Sequence, residues 1–210
     1  MNEANSPTMI VFQGPSASGK TTLQARLNAR RIVTWTSRSP RPGEKHGVDY
    51  VFSTRTEMDE MERRGLFLET TLYRGERYGT TLDAVRQALE AGELTSIILD
   101  APGAAKLKAL YPKRVLLVGV YAEREDCRRR LAERELGEAD RQARLSGYEE
   151  EVRALRQCDL AVNNSDACGG SALALVDCLR AGFGAAAAGL RAGPGASEAP
   201  NGMSEAAEPD

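Results

Sequence analysis

An α/β fold, a parallel sheet flanked by helices, is what this sequence predicts, and three observations carry the prediction. Predominantly apolar runs at residues 9–12, 94–99 and 115–120, without strict alternation, read as strands buried on both faces, because a half-exposed strand alternates polar and apolar residues. Stretches of helical period lie between such runs, as parallel strands require for their crossover connections. The first run breaks at Gln13 into Gly-Pro-Ser-Ala-Ser-Gly-Lys-Thr, a loop of small residues followed by a helix start.

A chain of 210 residues is long enough for one such core with a small insert. Its 41% hydrophobic and 28% charged residues are ordinary for a globular domain. A formal net charge of -2 provides no global basic surface, which argues against nucleic acid and anionic membrane as partners. Cys127, Cys158, Cys168 and Cys178 lack C-x-x-C spacing, and His46 is the single histidine, so reduced thiols in a cytoplasmic protein are expected rather than zinc or disulfides. No apolar run approaches the roughly 18 residues that would span a bilayer. Residues 1–8 read as a flexible N-terminus, and the Ala/Gly/Pro/Glu/Ser-rich residues 182–210 as a disordered low-complexity tail.

Taken in order, residues 21–31 make a short helix with Leu23 and Leu27 on one face and Arg26, Arg30 and Arg31 outside it. Residues 32–35 form a brief strand. Residues 37–44 are loop, since two prolines and a glycine forbid a helix. A strand at 49–53, a helix at 56–65 with Met58 and Met61 inward, and hairpin strands at 66–81 follow. Residues of about 34–81 thus form a small β-rich insert beside the main sheet. The doubly wound pattern resumes with a helix at 82–91, the strand at 94–99, a helix at 104–110 and the strand at 115–120. Charged helices at 123–135 and 140–157, interrupted near Gly137, lead to a last strand at 160–162 and a last helix at 172–181, which closes a domain spanning 9–181.

The loop at 14–21 matches G-x-x-x-x-G-K-[ST] in its required setting, strand before and helix after. Backbone N–H groups there converge on one concavity at the positive end of a helix dipole, which favours a polyphosphate. Gly14, Ser16, Ser18, Gly19, Lys20, Thr21 and Thr22 are the expected ATP-binding residues. Lys20 reaches the β and γ phosphates as a catalytic cation, and Thr21 holds Mg²⁺. The fold expected is therefore that of a P-loop kinase.

Residues 34–53, TWTSRSPRPGEKHGVDYVFS, resemble the acceptor segment of guanylate kinases, with its T-[ST]-R-x-P-R-x-G-E-x-x-G-x-D-Y pattern. Residues 67–81, FLETTLYRGERYGTT, resemble that family's Phe-Leu-Glu to Tyr-Gly-Thr segment, and residues 99–103 its D-x-x-G strand end; the resemblance runs from about 10 to 179. It implies ATP as donor, GMP and dGMP as acceptors, and a monomer or homodimer. The residue types fit that chemistry. Arg38 and Arg41, in a proline-stiffened loop, offer planar bidentate donors to a phosphate dianion, and Tyr50 and Tyr78 add phenolic donors. The Glu69 carboxylate can accept together from the N1–H and N2 amine that distinguish guanine from adenine. Thr34 and Thr80 can donate to guanine O6, so the wrong base would leave buried groups unpaired. Glu44 reads as an orienter of the arginines, Asp49 as a turn residue or a functional one, and His46 as exposed.

The arginine-rich stretch 127–144 reads either as a solvated helix face or as a lid, at about 130–147, that delivers cations over the γ phosphate when water is excluded. Arg130 and Arg134 resemble the start of the family's lid and Arg144 its later catalytic arginine, so Arg134 and Arg144 join Lys20 as expected catalytic residues. Four departures stand out. Ala17 occupies a usual glycine position, Ile98 replaces the first acid of a D-x-D pair, Glu135 replaces a glycine, and the stretch between Lys20 and Arg38 is short. Asp100 is left to orient a magnesium-bound water or the guanine amine. A kinase for a modified nucleotide or ribose 1,5-bisphosphate, and a catalytically silent binding module, stay open as alternatives on sequence grounds.

Overall fold

The computed structural model describes residues 7–73, 75–134, 137–168 and 170–191. Its main sheet joins β1 (Met9–Gln13), β2 (Arg30–Arg31), β7 (Thr95–Ile98), β8 (Val115–Tyr121) and β9 (Leu160–Asn163) in the order β2-β7-β1-β8-β9, every pair parallel. Because side chains alternate along a strand, β1 splits its residues between two cores. Met9 and Val11 join Ile97 and Leu117 under α3 (Leu82–Glu90) and α4 (Ala101–Leu110), against Val85, Leu89 and Leu107. Ile10 and Phe12 join Val118 and Val120 on the opposite face, against Leu23 and Leu27 of α1 (Lys20–Leu27) and Val176 of α8 (Ser171–Arg191). The expected sheet with helices on both faces is present.

The second sheet consists of β3 (Trp35–Thr36), β4 (Val51–Phe52), β5 (Phe67–Tyr73) and β6 (Glu76–Thr81), in the order β4-β3-β6-β5. It corresponds to the predicted insert. Helix α2 (Arg55–Arg63) lies against it, its N-terminus capped by the Thr54 hydroxyl accepting from the Glu57 amide, and Met58 is buried. Arg77 of β6 pairs with Asp59 and Glu62 of α2, fastening helix to hairpin. Leu68 of β5 enters the main core, so the small sheet is anchored through that strand.

Several boundaries differ from expectation. Helix α1 stops at Asn28, whose left-handed φ of 53° turns the chain, and Arg30 and Arg31 then pair with β7 instead of extending the helix. Residues 32–34 belong to no strand, although Ile32 still donates its amide to Ser96. Helix α4 starts at Ala101, not 104, because the Asp100 carboxylate caps it through the Gly103 amide and Pro102 suits a first turn. The helix expected over 140–157 is divided at Gly147 into α6 (Glu138–Ser146) and α7 (Tyr148–Ala154), after α5 (Arg124–Ala132). Helix α8 runs on to Arg191 through an alanine-rich segment of high helix propensity, so the tail boundary expected at 182 falls inside a helix. Residues 1–6, Glu135 and 192–210 lie outside the described residues. Among the described residues no helix is long and apolar enough to cross a membrane.

Phe12 is fully buried at the centre of the sheet. Phe12→Ala should cost about 3–5 kcal/mol of unfolding free energy, measured by denaturant titration; a loss below about 1 kcal/mol would contradict this account of the core.

Candidate active site

A cavity of about 900 Å³ opens at the carboxyl ends of β1 and β7, the place where open α/β sheets take their ligands. The phosphate loop forms one end. Gly14 has φ 135° and could carry no side chain, since a Cβ would stand 2.0 Å from the Val120 carbonyl oxygen. Gly19, at φ 100°, is overlaid by Asn164, whose Nδ2 would lie 2.1 Å from a Cβ there. Ala17 adopts φ 63°, a left-handed conformation that costs a non-glycine residue about 1–2 kcal/mol. The alanine that stands at this usual glycine position is thus held in a glycine-like conformation. Its methyl packs among Ala122, Cys127, Leu131 and Tyr148.

Helix α1 has no side-chain cap, which leaves its first N–H groups available to an anion. Lys20 Nζ donates to the carbonyl oxygens of Gly14 at 2.5 Å and Pro15 at 2.8 Å. Burial lowers its pKa to about 8; Glu151 and Cys127 oppose that shift and Arg134 reinforces it. Gly14, Ser16, Lys20 and Thr21 line the cavity, whereas Ser18, which is buried, Gly19 and the exposed Thr22 do not.

At the other end, Thr34, Tyr50, Glu69, Tyr78 and Asp100 line the same space. Glu69 and Asp100 fit side by side because residue 103 is glycine: a Cβ there would come within 2.9 Å of Glu69 Cγ and 3.0 Å of Asp100 Oδ1. Burial raises the pKa of Glu69, with Thr80 nearby opposing the shift and the Asp100 charge adding to it; Thr80 itself is fully buried and absent from the cavity lining. Asp100 also accepts from the Thr71 hydroxyl at 3.1 Å. Ile98 lines the cavity where an acid would otherwise stand.

Arg38 and Arg41 lie outside this lining but lead to it. Arg38 donates to both Glu44 oxygens at 2.9 Å, its guanidinium lies 5.4 Å from the Tyr50 ring centroid, and it hydrogen-bonds Tyr78. Glu44 accepts the Arg41 amide at 2.8 Å as well, and that bond, with Arg38 next, holds its carboxyl below the usual range. Glu44 therefore aligns the Arg38 guanidinium, whereas of Arg41 it holds the backbone amide and not the side chain. The Arg41 side chain is exposed, as is His46, whose Nδ1 accepts from the Phe52 amide.

The lid arginines divide. Arg134 follows α5 and Arg144 ends α6, half-buried; neither lines the cavity. Arg130 donates to the carbonyl oxygens of Ala17 at 3.2 Å and Asn164 at 2.8 Å, and to Asp166. Glu151 of α7 is a site residue that sequence reasoning missed. It lines the cavity, and burial raises its pKa against the attraction of Lys20. One glutamate in the run 149–151 carries no local signal that separates it from its neighbours.

Metal ligation is met here by one hydroxyl, Thr21, with Asp100 across the cavity, and among the described residues no group of three or more His, Cys, Asp or Glu is poised around one point. Such a donor set fits Mg²⁺, which keeps several waters and binds largely through substrate phosphates.

The guanylate kinase family model matches residues 6–167. A guanylate kinase from Lactococcus lactis subsp. lactis is 38% identical over 162 residues, covering 74% of this chain and 79% of its own length. One from Rubrobacter xylanophilus is 38% identical over 164 residues, covering 75% and 86%. The crystal structure of guanylate kinase from Anaplasma phagocytophilum superposes with a TM-score of 0.63 at 24% identity, covering 86% of each chain; at that identity the likeness speaks to the fold.

An acid whose folded pKa is raised contributes its full stability below the unfolded value and loses it as pH rises through the folded one. Glu69→Gln should therefore stabilise the ligand-free protein at pH 7 and have little effect near pH 4, read by denaturant unfolding at both pH values. An equal effect at the two would contradict the desolvation account.

Proposed function

Since this chain belongs to the guanylate kinase family and catalyses transfer of the γ phosphoryl of ATP to GMP, we propose that the cavity divides this work between its two ends. The observation that carries the proposal is a single space lined by Lys20 and Thr21 on one side and by Glu69, Asp100 and Tyr78 on the other. Donor phosphates take the loop end and the helix N-terminus. The acceptor takes the small sheet.

No covalent intermediate or general base is needed, because phosphoryl transfer is achieved by positioning and charge neutralisation. Lys20 exchanges the carbonyls of Gly14 and Pro15 for phosphate oxygens. Glu69, poorly solvated beside Asp100, gains two donors from guanine N1–H and N2, and adenine offers no such pair. Thr34 and Thr80 donate to O6. Arg38, oriented by Glu44, and Arg41, whose backbone Glu44 holds, grip the acceptor phosphate together with Tyr50 and Tyr78. Arg134 and Arg144 approach from the lid. Thr21 would hold Mg²⁺ and Asp100 would orient its water, and the ion would supply charge neutralisation on the β and γ phosphates. The same acceptor contacts serve dGMP. Free thiols at Cys127, Cys158, Cys168 and Cys178 fit a reducing cytoplasm.

The test is ADP release from Mg-ATP with GMP, dGMP, AMP, UMP, CMP and ribose 1,5-bisphosphate as acceptors. Turnover confined to GMP and dGMP is expected; turnover with another acceptor and none with GMP would overturn the reading. Lys20→Ala should lower turnover at least about a hundredfold while GMP affinity, by calorimetric titration, changes less than about threefold. Glu69→Gln should raise the GMP KM at least about tenfold, and an unchanged KM would remove Glu69 from base recognition.

A further inference from the structure

We infer that Asn164 and Arg130 are positioning residues of the phosphate loop, which hold its backbone from behind so that Ala17 can keep a left-handed conformation. The inference rests on ATP occupying this loop. Asn164 Nδ2 donates to the Ser18 carbonyl oxygen at 2.8 Å, and Arg130 donates to the Ala17 carbonyl oxygen at 3.2 Å. In a planar trans peptide the N–H points opposite to the C=O, so tying the Ser18 carbonyl to Asn164 aims the Gly19 N–H away from it. Two consecutive peptide planes are fixed this way, the first of them directly after the residue at φ 63°.

The two holding residues are themselves immobilised. The Arg130 fork also binds the Asn164 carbonyl, at 2.8 Å, and Asp166. Asp166 is held in turn by Arg129 and, through its amide, by Asp126 at 2.8 Å. These bonds of the Arg130 guanidinium all end on protein, and Arg130 is absent from the cavity lining. It acts through the loop and not on the transferred phosphoryl group.

Ala17 explains why such a hold matters in this chain. Its methyl packs among Ala122, Cys127, Leu131 and Tyr148, so the penalty at 17 is local, the crowding of its own Cβ against the adjacent backbone, and not a clash with neighbouring side chains. Glycine visits positive φ freely and would need the hold less. The contribution of Asn164 to ATP binding must then depend on which residue stands at 17, which a general loosening of the fold would not produce.

Steady-state kinetics of Asn164→Ala on the Ala17 and Ala17→Gly backgrounds tests this. On the Ala17 background the ATP KM should rise about five- to tenfold, with kcat and the GMP KM within about twofold. On the Ala17→Gly background the rise should shrink to about twofold. An equal rise on both backgrounds, or a parallel rise in the GMP KM, would overturn the inference. If Asn164→Ala does not fold, Arg130→Met on the same two backgrounds carries the same expectation, with Arg130→Lys recovering part of the ATP affinity. Inactivity of the unmodified chain with ATP and GMP would instead refute the functional reading.

Discussion

A strand buried on both faces has to pass the chain to a helix between Gln13 and Lys20, and the backbone groups of that turn all need partners. The partners found are unequal in kind. The carbonyls of Gly14 and Pro15 face the Lys20 ammonium, and those of Ala17 and Ser18 face Arg130 and Asn164. Acceptors are thus satisfied by the protein, while the donors at the start of α1 have no side-chain cap. A loop built this way is selective for anions before any ligand arrives. The same accounting explains Gly14, whose approach to the Val120 carbonyl admits no Cβ.

The acceptor end is organised by desolvation. Two carboxylates, Glu69 and Asp100, share a site that Gly103 leaves open, and only one of them, Asp100, has structural duties, capping α4 and accepting from Thr71. Glu69 bears the cost of burial and so has most to gain from a ligand that brings donors. The Arg38–Glu44 pair is the complementary device: a guanidinium aligned in advance, its side chain 15% exposed, beside the rings of Tyr50 and Phe52.

Much of this was legible in the sequence because the requirement is chemical. A polyphosphate loop needs small residues at set places, strands covered on both faces are mostly apolar, with Thr95 and Ser96 of β7 the buried exceptions, and Glu44 stands three residues from Arg41, near enough to accept its amide. The rest depends on tertiary context. Asn28 is of a type that enters the left-handed region readily and so hinted at the end of α1, but a lone glycine such as Gly147 is often accommodated within a helix. The Asp100 cap, by contrast, was readable from Asp-Ala-Pro. Glu151 enters the site only because α7 folds back over the phosphate loop, and Arg130 differs from Arg134 only through the loop it happens to reach.

The order β4-β3-β6-β5 makes the small sheet a lever. Its fulcrum is β5, where Leu68 is sunk in the main core and Glu69 is the next residue. Strand β4 lies three strand spacings away, about 14 Å. A rigid rotation about the anchored strand moves Glu69 little and swings the far edge, with Tyr50 beside it, through the largest arc. On the proposed division of the site, such a rotation would leave the carboxylate assigned to the base nearly in place while Tyr50, assigned to the acceptor phosphate, would travel farthest.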